Sequence, residues 1–127
     1  MKAIKTGIIT ILILLSYSSG ISQQLGEKVY WMSTVEVSIS KLQSYYSFNA
    51  KELIPLMEEH GYVPVASWQT IVGDIEEVIF VAEFENMEAY HKARKSLLSS
   101  VDWANVSRKL DSLIKSIHTR FLSAAPF

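Results

Sequence analysis

The sequence predicts an α+β protein with a ferredoxin-like split βαβ fold, whose elements follow one another in the order βαββαβ. Apolar residues alternate at every second position over residues 29–38, which indicates a strand, and recur with helical spacing over residues 42–57 and 87–117. Extended apolar runs predict the other strands, at residues 62–72, 76–84 and 118–124. A chain with this order is expected to form a four-stranded antiparallel sheet with helices on one face.

Residues 1–22 have the features of a secretory signal peptide. Lys2 and Lys5 form a basic start, residues 7–17 are an apolar stretch, and residues 18–22 include the small side chains that a signal peptidase requires. The apolar stretch is shorter than the roughly 20 residues that span a bilayer. We therefore expect export from a bacterial cell to the periplasm or beyond, with no stable membrane insertion after cleavage. An uncleaved membrane anchor is the alternative.

Cleavage after Ser22 would remove 22 of the 127 residues and leave 105, which is enough for one domain. Residues 23–28 are expected to form a short tether and residues 29–127 the folded domain. The chain contains no Cys, which excludes disulfides, thiolate catalysis and Cys-based metal sites. Loss of Lys2 and Lys5 leaves 10 of the 12 basic residues against 13 acidic ones, a net charge of −3, so a nucleic-acid partner is not expected.

The first helical segment contains its own start, break and stop signals. Ser40 and Gln43 have the spacing of a capping box, and Gly61 suits the left-handed residue that follows many helices. Pro55 lacks a backbone donor and is expected to kink or split the helix near Asn49. The predicted buried stripe comprises Leu42, Tyr45, Tyr46, Leu53, Leu56 and Met57.

The predicted positions of the strands follow from composition. Pro64 cannot donate to a neighbouring strand, so the second strand is expected at an edge of the sheet, with Gly73 and Asp74 in the turn that follows. Residues 78–82 are continuously apolar, as in a central strand buried on both faces. Both features agree with the spatial order 4-1-3-2 of a ferredoxin-like sheet. Asn86 is expected to cap the second helical segment, and Ser99-Ser100 to divide it.

The two central strands carry apolar side chains on both faces, which predicts self-association. In the first strand Trp31 and Val35 point one way while Tyr30 and Met32 point the other way. Helices on one side of the sheet cover only one of these faces, and the other would expose a large apolar patch. We therefore expect a homodimer formed through the sheets.

Several short motifs, in their order along the chain, resemble the NIPSNAP domain. They are His60-Gly61-Tyr62, Trp68-Gln69-Thr70 with Gly73, residues 80–84, Val101-Asp102-Trp103 and the terminal residues 121–127. The resemblance covers residues 30–127. It implies the dimeric α+β-barrel form of the ferredoxin-like fold, and a kinship in fold with cofactor-free monooxygenases and haem-handling enzymes.

The aromatic residues are expected to border a mostly apolar pocket between the sheet and the helices. The candidate ligand-binding residues are Trp31, Tyr45, His60, Trp68 and Phe80. In a domain of this size, aromatic side chains at regular spacing are also compatible with a simple core. The expected ligand is a small hydrophobic molecule.

His60 and Glu36 are the candidates for acid–base chemistry. His60 is either a general base, because imidazole titrates near neutral pH, or a side chain that only interacts with the helix C-terminus. Glu36 is a proton acceptor if its carboxylate points into an apolar cavity, and a solvated side chain otherwise. The histidines have no familiar metal-ligand spacing, so no metal and no cofactor are expected.

Three functional hypotheses follow. The first is a homodimeric binding module for a small hydrophobic ligand or partner, without enzymatic activity, and we favour it. The second is a cofactor-independent oxygenase or isomerase of the dimeric α+β-barrel type. The third is a purely structural envelope protein.

Overall fold

The computed structural model describes residues 27–127, so the predicted signal peptide and most of the predicted tether lie outside the described residues. The elements are β1 (Val29–Glu36), a 3₁₀ turn (Ile39–Lys41), α1 (Leu42–Phe48), a π-helical segment (Asn49–Leu53), α2 (Ile54–Glu59), β2 (Val63–Gln69), β3 (Glu77–Phe84), α3 (Met87–Leu98), α4 (Trp103–Leu113) and β4 (Ser116–Leu122).

The sheet has the strand order β2-β3-β1-β4, and every pairing is antiparallel, which confirms the predicted fold class. β2 lies at an edge, as its proline requires, and its register with β3 shifts between Pro64 and Ala66. β3 is central, and Val78, Ala82 and Phe84 are buried under the helices. The described residues contain no helix long and apolar enough to cross a bilayer.

The helices cover one face of the sheet, which we call the inner face. Trp31 and Val35 of β1 point to this side and pack into two adjoining apolar clusters. The larger cluster joins β3 to α2 and α3, and the smaller one joins β1 to α1. The opposite or outer face carries Tyr30, Met32 and the residues that pair with them.

Local signals in the sequence decide several boundaries. Pro55 lies just after the π-helical segment, because its ring removes a backbone donor and crowds the carbonyl of Lys51, which widens the turn. Gly61 has a φ of 102°, and Asn86 caps α3 by accepting a hydrogen bond of 2.8 Å from the amide of Ala89. Residues 99–102 separate α3 from α4, as the Ser99-Ser100 pair predicts.

Two sequence expectations are wrong. Ser40 forms no capping box, because it lies inside the 3₁₀ turn, and the amide of Ile39 donates instead to the Glu76 carboxylate at 3.0 Å. The second helical segment does not reach Ile117, because α4 ends at Leu113 and the amide of Lys115 donates to the carbonyl of Glu36 at 2.7 Å, which starts β4.

β2 is also shorter than expected. It ends at Gln69, and Ile71 and Val72 lie in the turn with more than four-fifths of their surface exposed. Gly73 has a φ of 112°, a backbone conformation that glycine adopts without strain, so the chain reverses at the position that the sequence predicts.

Candidate functional site

A row of short side chains crosses the inner face of the sheet. The pairing of the four strands aligns Ser67 of β2, Phe80 of β3, Ser33 of β1 and Thr119 of β4 in one row. The neighbouring row contains Trp31, and the row on the other side contains Val35 and Ile117. Because three members of the row are small, the space beneath the helices is not filled from the sheet, and room remains between the two layers.

This space is a cavity of about 580 Å³ between the sheet and the helices. Its volume lies within the usual range for small-molecule sites. Its walls are mainly apolar, with aliphatic side chains from the π-helical segment, α2, α3 and α4. Apart from Trp68 on the edge strand, the aromatic side chains that line the cavity are Trp31, Tyr45, Tyr46, Tyr62, Phe80, Tyr90 and Trp103.

One wall of the cavity is a connected set of aromatic rings. The Trp31 ring meets Tyr62 at 5.7 Å and Phe80 at 6.2 Å between centroids, and both pairs are edge-to-face. Tyr62 continues the set to Phe84 at 5.1 Å, and Phe84 to Tyr90 at 5.4 Å. Such contacts are directional, so they hold this wall in one arrangement rather than letting it collapse into the space.

The cavity also presents phenolic hydroxyl groups in their neutral form. Burial raises the pKa of Tyr45 and Tyr46, and raises that of Tyr62 to about 12, so all three remain protonated at neutral pH. Among the described residues, the Tyr46 hydroxyl is buried without a hydrogen-bond partner. A buried hydroxyl without a partner is costly. Tyr46 is one of the residues that line the cavity, so this cost falls beside the space.

The structure brings three of the five predicted ligand-binding residues to the cavity, with side chains that lie between the sheet and the helices. These are Trp31 of β1, Tyr45 of α1 and Phe80 of β3. Trp68 borders the cavity at the edge strand, but its pairing with Ile79 places its side chain on the outer face, where 57% of its surface is exposed.

His60 and Glu36 do not line the cavity. His60 is the C-terminal capping residue of α2, and its Nδ1 lies 2.7 Å from the Ser96 hydroxyl of α3, so it joins two helix ends. Glu36 lies on the outer face at the end of β1. Its carboxylate accepts a hydrogen bond of 3.4 Å from the Ser116 hydroxyl and lies 3.9 Å from the Lys115 ammonium.

Sequence reasoning missed Ser33, Ser67, Thr119 and Arg94, which all line the cavity. A signal was present for Ser33, which interrupts an otherwise apolar alternation in β1. Ser67 and Thr119 gave no comparable signal, because their alignment with Ser33 depends on strand pairing. In residues 27–127, no group of three or more His, Cys, Asp or Glu side chains is placed to hold a metal ion.

A comparison with models of known protein families shows which family the chain belongs to. The family model of NIPSNAP matches residues 30–127. The chain belongs to the NIPSNAP family. None of the curated proteins matches the sequence of this NIPSNAP chain.

Solved structures of low sequence identity share its fold. A NIPSNAP family protein with unknown function from Agrobacterium tumefaciens has a TM-score of 0.74 at 19% identity, covering 80% of this chain and 92% of that one. An uncharacterized NIPSNAP-like protein from Burkholderia xenovorans has a TM-score of 0.73 at 16% identity, covering 80% and 89%. A mutant form of SnoaB, a cofactor-independent oxygenase from Streptomyces nogalater, has a TM-score of 0.62 at 14% identity, covering 80% and 96%.

Proposed function

We propose that this NIPSNAP chain is an exported, homodimeric binding module for a small hydrophobic molecule. The observation that carries the proposal is the cavity of about 580 Å³ between sheet and helices, with mainly apolar walls. Tyr46 is one of its lining residues, and the buried hydroxyl of Tyr46 has no hydrogen-bond partner in the described part of the chain. A space of this kind without an occupant loses packing contacts, whereas a ligand of matching shape restores them.

Native mass spectrometry of protein purified gently from its host tests this proposal. We expect a dimer that carries a bound organic molecule, and a thermal shift with members of a panel of hydrophobic compounds. A dimer with no bound molecule and no thermal shift across the panel would reject the binding hypothesis and favour the structural-protein hypothesis.

A cavity-filling variant makes the test specific to this site. Ser33→Leu places a bulky aliphatic side chain at the centre of the row of short side chains, so ligand binding should be lost while the fold is retained. Ser67→Phe fills the same row from the exposed edge strand, where the risk to folding is smaller. Ser112→Leu is the matched control, because Ser112 is exposed on α4 and does not line the cavity. Binding that survives both fillings would place the ligand elsewhere.

The dimer is proposed to form through the outer face. Met32 and Ile79 lie on the central strands of this face, and Trp68 and Leu122 lie on the edge strands with 57% and 40% of their surface exposed. One patch that pairs with its own copy satisfies a two-fold interface. Met32→Lys should convert the dimer to a monomer in light scattering, because it would bury an unpaired charge, while Ala104→Lys on the exposed surface of α4 should not. A wild-type monomer at micromolar concentration would contradict this part.

Export is proposed from the sequence pattern of residues 1–22 alone. The intact mass of protein recovered from its host should correspond to cleavage near Ser22. A mass that retains residues 1–22 would favour the anchored alternative.

A cofactor-independent oxygenase is the second candidate, favoured by the similarity in fold to SnoaB. Its weakness lies in the cavity itself, because the described residues that line it include no carboxylate and no imidazole, the usual general bases. Oxygen consumption with a phenolic substrate distinguishes the two candidates. Turnover that disappears in Ser33→Leu would replace the binding hypothesis with the enzymatic one.

A further inference from the structure

Arg94 is the one residue lining the cavity whose side chain carries a full charge at neutral pH, in the part of the chain that the structure describes. It lies on α3, between Tyr90 and Leu97, which also line the cavity, and its side chain reaches solvent. The guanidinium therefore stands at the border between the apolar interior and water. A delocalised guanidinium keeps its charge in such a place.

No carboxylate of residues 27–127 forms an ion pair with Arg94. The ion pairs of the described chain involve Lys28, Lys109 and Lys115 and lie away from the cavity. The positive charge at the cavity is thus not neutralised by the protein itself. This contrasts with the overall charge of the chain after the proposed cleavage, which would remove Lys2 and Lys5. Of the 12 basic residues 10 would remain, against 13 acidic ones.

The charge of Arg94 acts on the cavity wall. Burial raises the pKa of Tyr62, and the nearby guanidinium of Arg94 opposes that rise, which means that its field stabilises negative charge at this wall. Tyr46, which also lines the cavity, has a buried hydroxyl that finds no partner in the described part of the chain. The guanidinium has N–H donors and no acceptor, so it suits a ligand group that accepts hydrogen bonds.

We propose that the ligand is a hydrophobic organic acid, whose carboxylate pairs with Arg94 at the mouth of the cavity while its apolar body lies between Trp31, Phe80 and Leu97. This inference rests on the proposed binding function and adds the chemical class of the ligand. The planar guanidinium offers two parallel N–H donors to the two oxygens of a carboxylate, so it selects a carboxylate over a neutral group of the same size.

Three probes of one shape test the inference, each carrying a different group on a naphthalene ring. They are 2-naphthoate, 2-naphthylmethanol and 2-naphthylmethylamine, which are anionic, neutral and cationic at neutral pH. Isothermal titration calorimetry on the mature protein should give a Kd for the acid about tenfold lower than that of the alcohol, with the amine weakest. The preference should shrink at high salt, because the guanidinium is exposed.

Variants of Arg94 assign the preference to this residue. Arg94→Met should reduce the ratio of the alcohol and acid Kd values to about one, and Arg94→Lys should retain part of it, since an ammonium ion keeps the charge without the paired donors. Arg108→Met is the matched control, because Arg108 lies on the exposed side of α4 and does not line the cavity. Its acid preference should equal that of the wild type.

The outcomes separate this inference from the proposed function. Acid and alcohol that bind equally well, and that both lose binding in Ser33→Leu, would overturn the charge selection and leave the binding module intact. A preference for the acid that persists in Arg94→Met would also overturn it. If none of the three probes binds and the panel of hydrophobic compounds gives no thermal shift, the binding function itself fails.

Discussion

Replacement of Tyr46 by Phe should stabilise the ligand-free protein. The Tyr46 hydroxyl is buried without a partner among the described residues, and the ring packs beside Tyr45 and the smaller apolar cluster. An unsatisfied buried polar group costs about 1–3 kcal/mol, and Phe removes the hydroxyl while it keeps the ring. We expect the free energy of unfolding to rise by about 1 kcal/mol, which corresponds to a Tm increase of about 4–8 °C for a domain of this size.

The same substitution should weaken ligand binding. If the ligand accepts a hydrogen bond from the hydroxyl, its loss removes about 1 kcal/mol, which raises Kd about fivefold. A substitution that raises the free energy of unfolding and lowers the affinity for the ligand is expected where the hydrogen-bond partner of a polar group is the ligand itself. Urea unfolding at a fixed protein concentration measures the first effect, and calorimetry measures the second.

Tyr45→Phe is the matched control for this prediction. Tyr45 is the neighbouring tyrosine and is buried, but its hydroxyl lies within hydrogen-bonding reach of the Asn49 side chain. Its removal should lower the free energy of unfolding by about 1 kcal/mol, since a bond is lost. If Tyr46→Phe destabilises the protein as much as Tyr45→Phe does, the Tyr46 hydroxyl is already satisfied, and the reasoning is refuted.

Three further predictions concern the walls of the cavity and its surroundings. Phe84→Leu should lower the free energy of unfolding by about 1–3 kcal/mol in urea, because it loses edge-to-face contacts with Tyr62 and Tyr90; a loss below about 0.5 kcal/mol would contradict this. The hydrogen bond from Lys115 holds the pKa of Glu76 below its usual range, so this group stabilises the fold above about pH 4.3 and stabilises it less as the pH falls further. The Tm of Glu76→Gln should therefore fall less between pH 7 and pH 3 than the Tm of the wild type. An equal fall in the two proteins would contradict this prediction. Because burial raises the pKa of Tyr62 to about 12, its contribution to stability should be lost as the pH rises from about 10 to 12, and its ring should titrate near pH 12 in NMR spectra; titration near pH 10 would contradict it.

The features that sequence analysis predicted correctly have local physical causes. Pro55 cannot donate its backbone nitrogen in any fold, so the irregular turn before it follows from one residue. Gly61 and Asn86 likewise suit a left-handed conformation and a helix cap in any context. Pro64 cannot donate a hydrogen bond to a neighbouring strand, so it predicts that β2 lies at an edge of the sheet, as the observed strand order has it.

The errors arose where a distant partner replaced a local one. Ser40 and Gln43 have capping-box spacing, but Glu76, from the start of β3, satisfies the first amide of the helical region. Leu113, Ile114 and Ile117 fit both a helical and an extended pattern, and a hydrogen bond from Lys115 to Glu36 selects the strand. Neither partner is visible within a window of neighbouring residues.

The sequence by itself determined the order of the elements, the family resemblance and the apolar character of the central strand β3, because periodicity and turn residues act over a few positions. Only the tertiary structure decided where the cavity lies. Strand pairing aligns Ser67, Ser33 and Thr119, which are far apart in the chain, into one row of short side chains. The same pairing places Trp68 and Glu36 on the outer face, because the face of a strand residue depends on register and not on composition. His60 lies outside the cavity because it caps α2 and contacts Ser96 of α3.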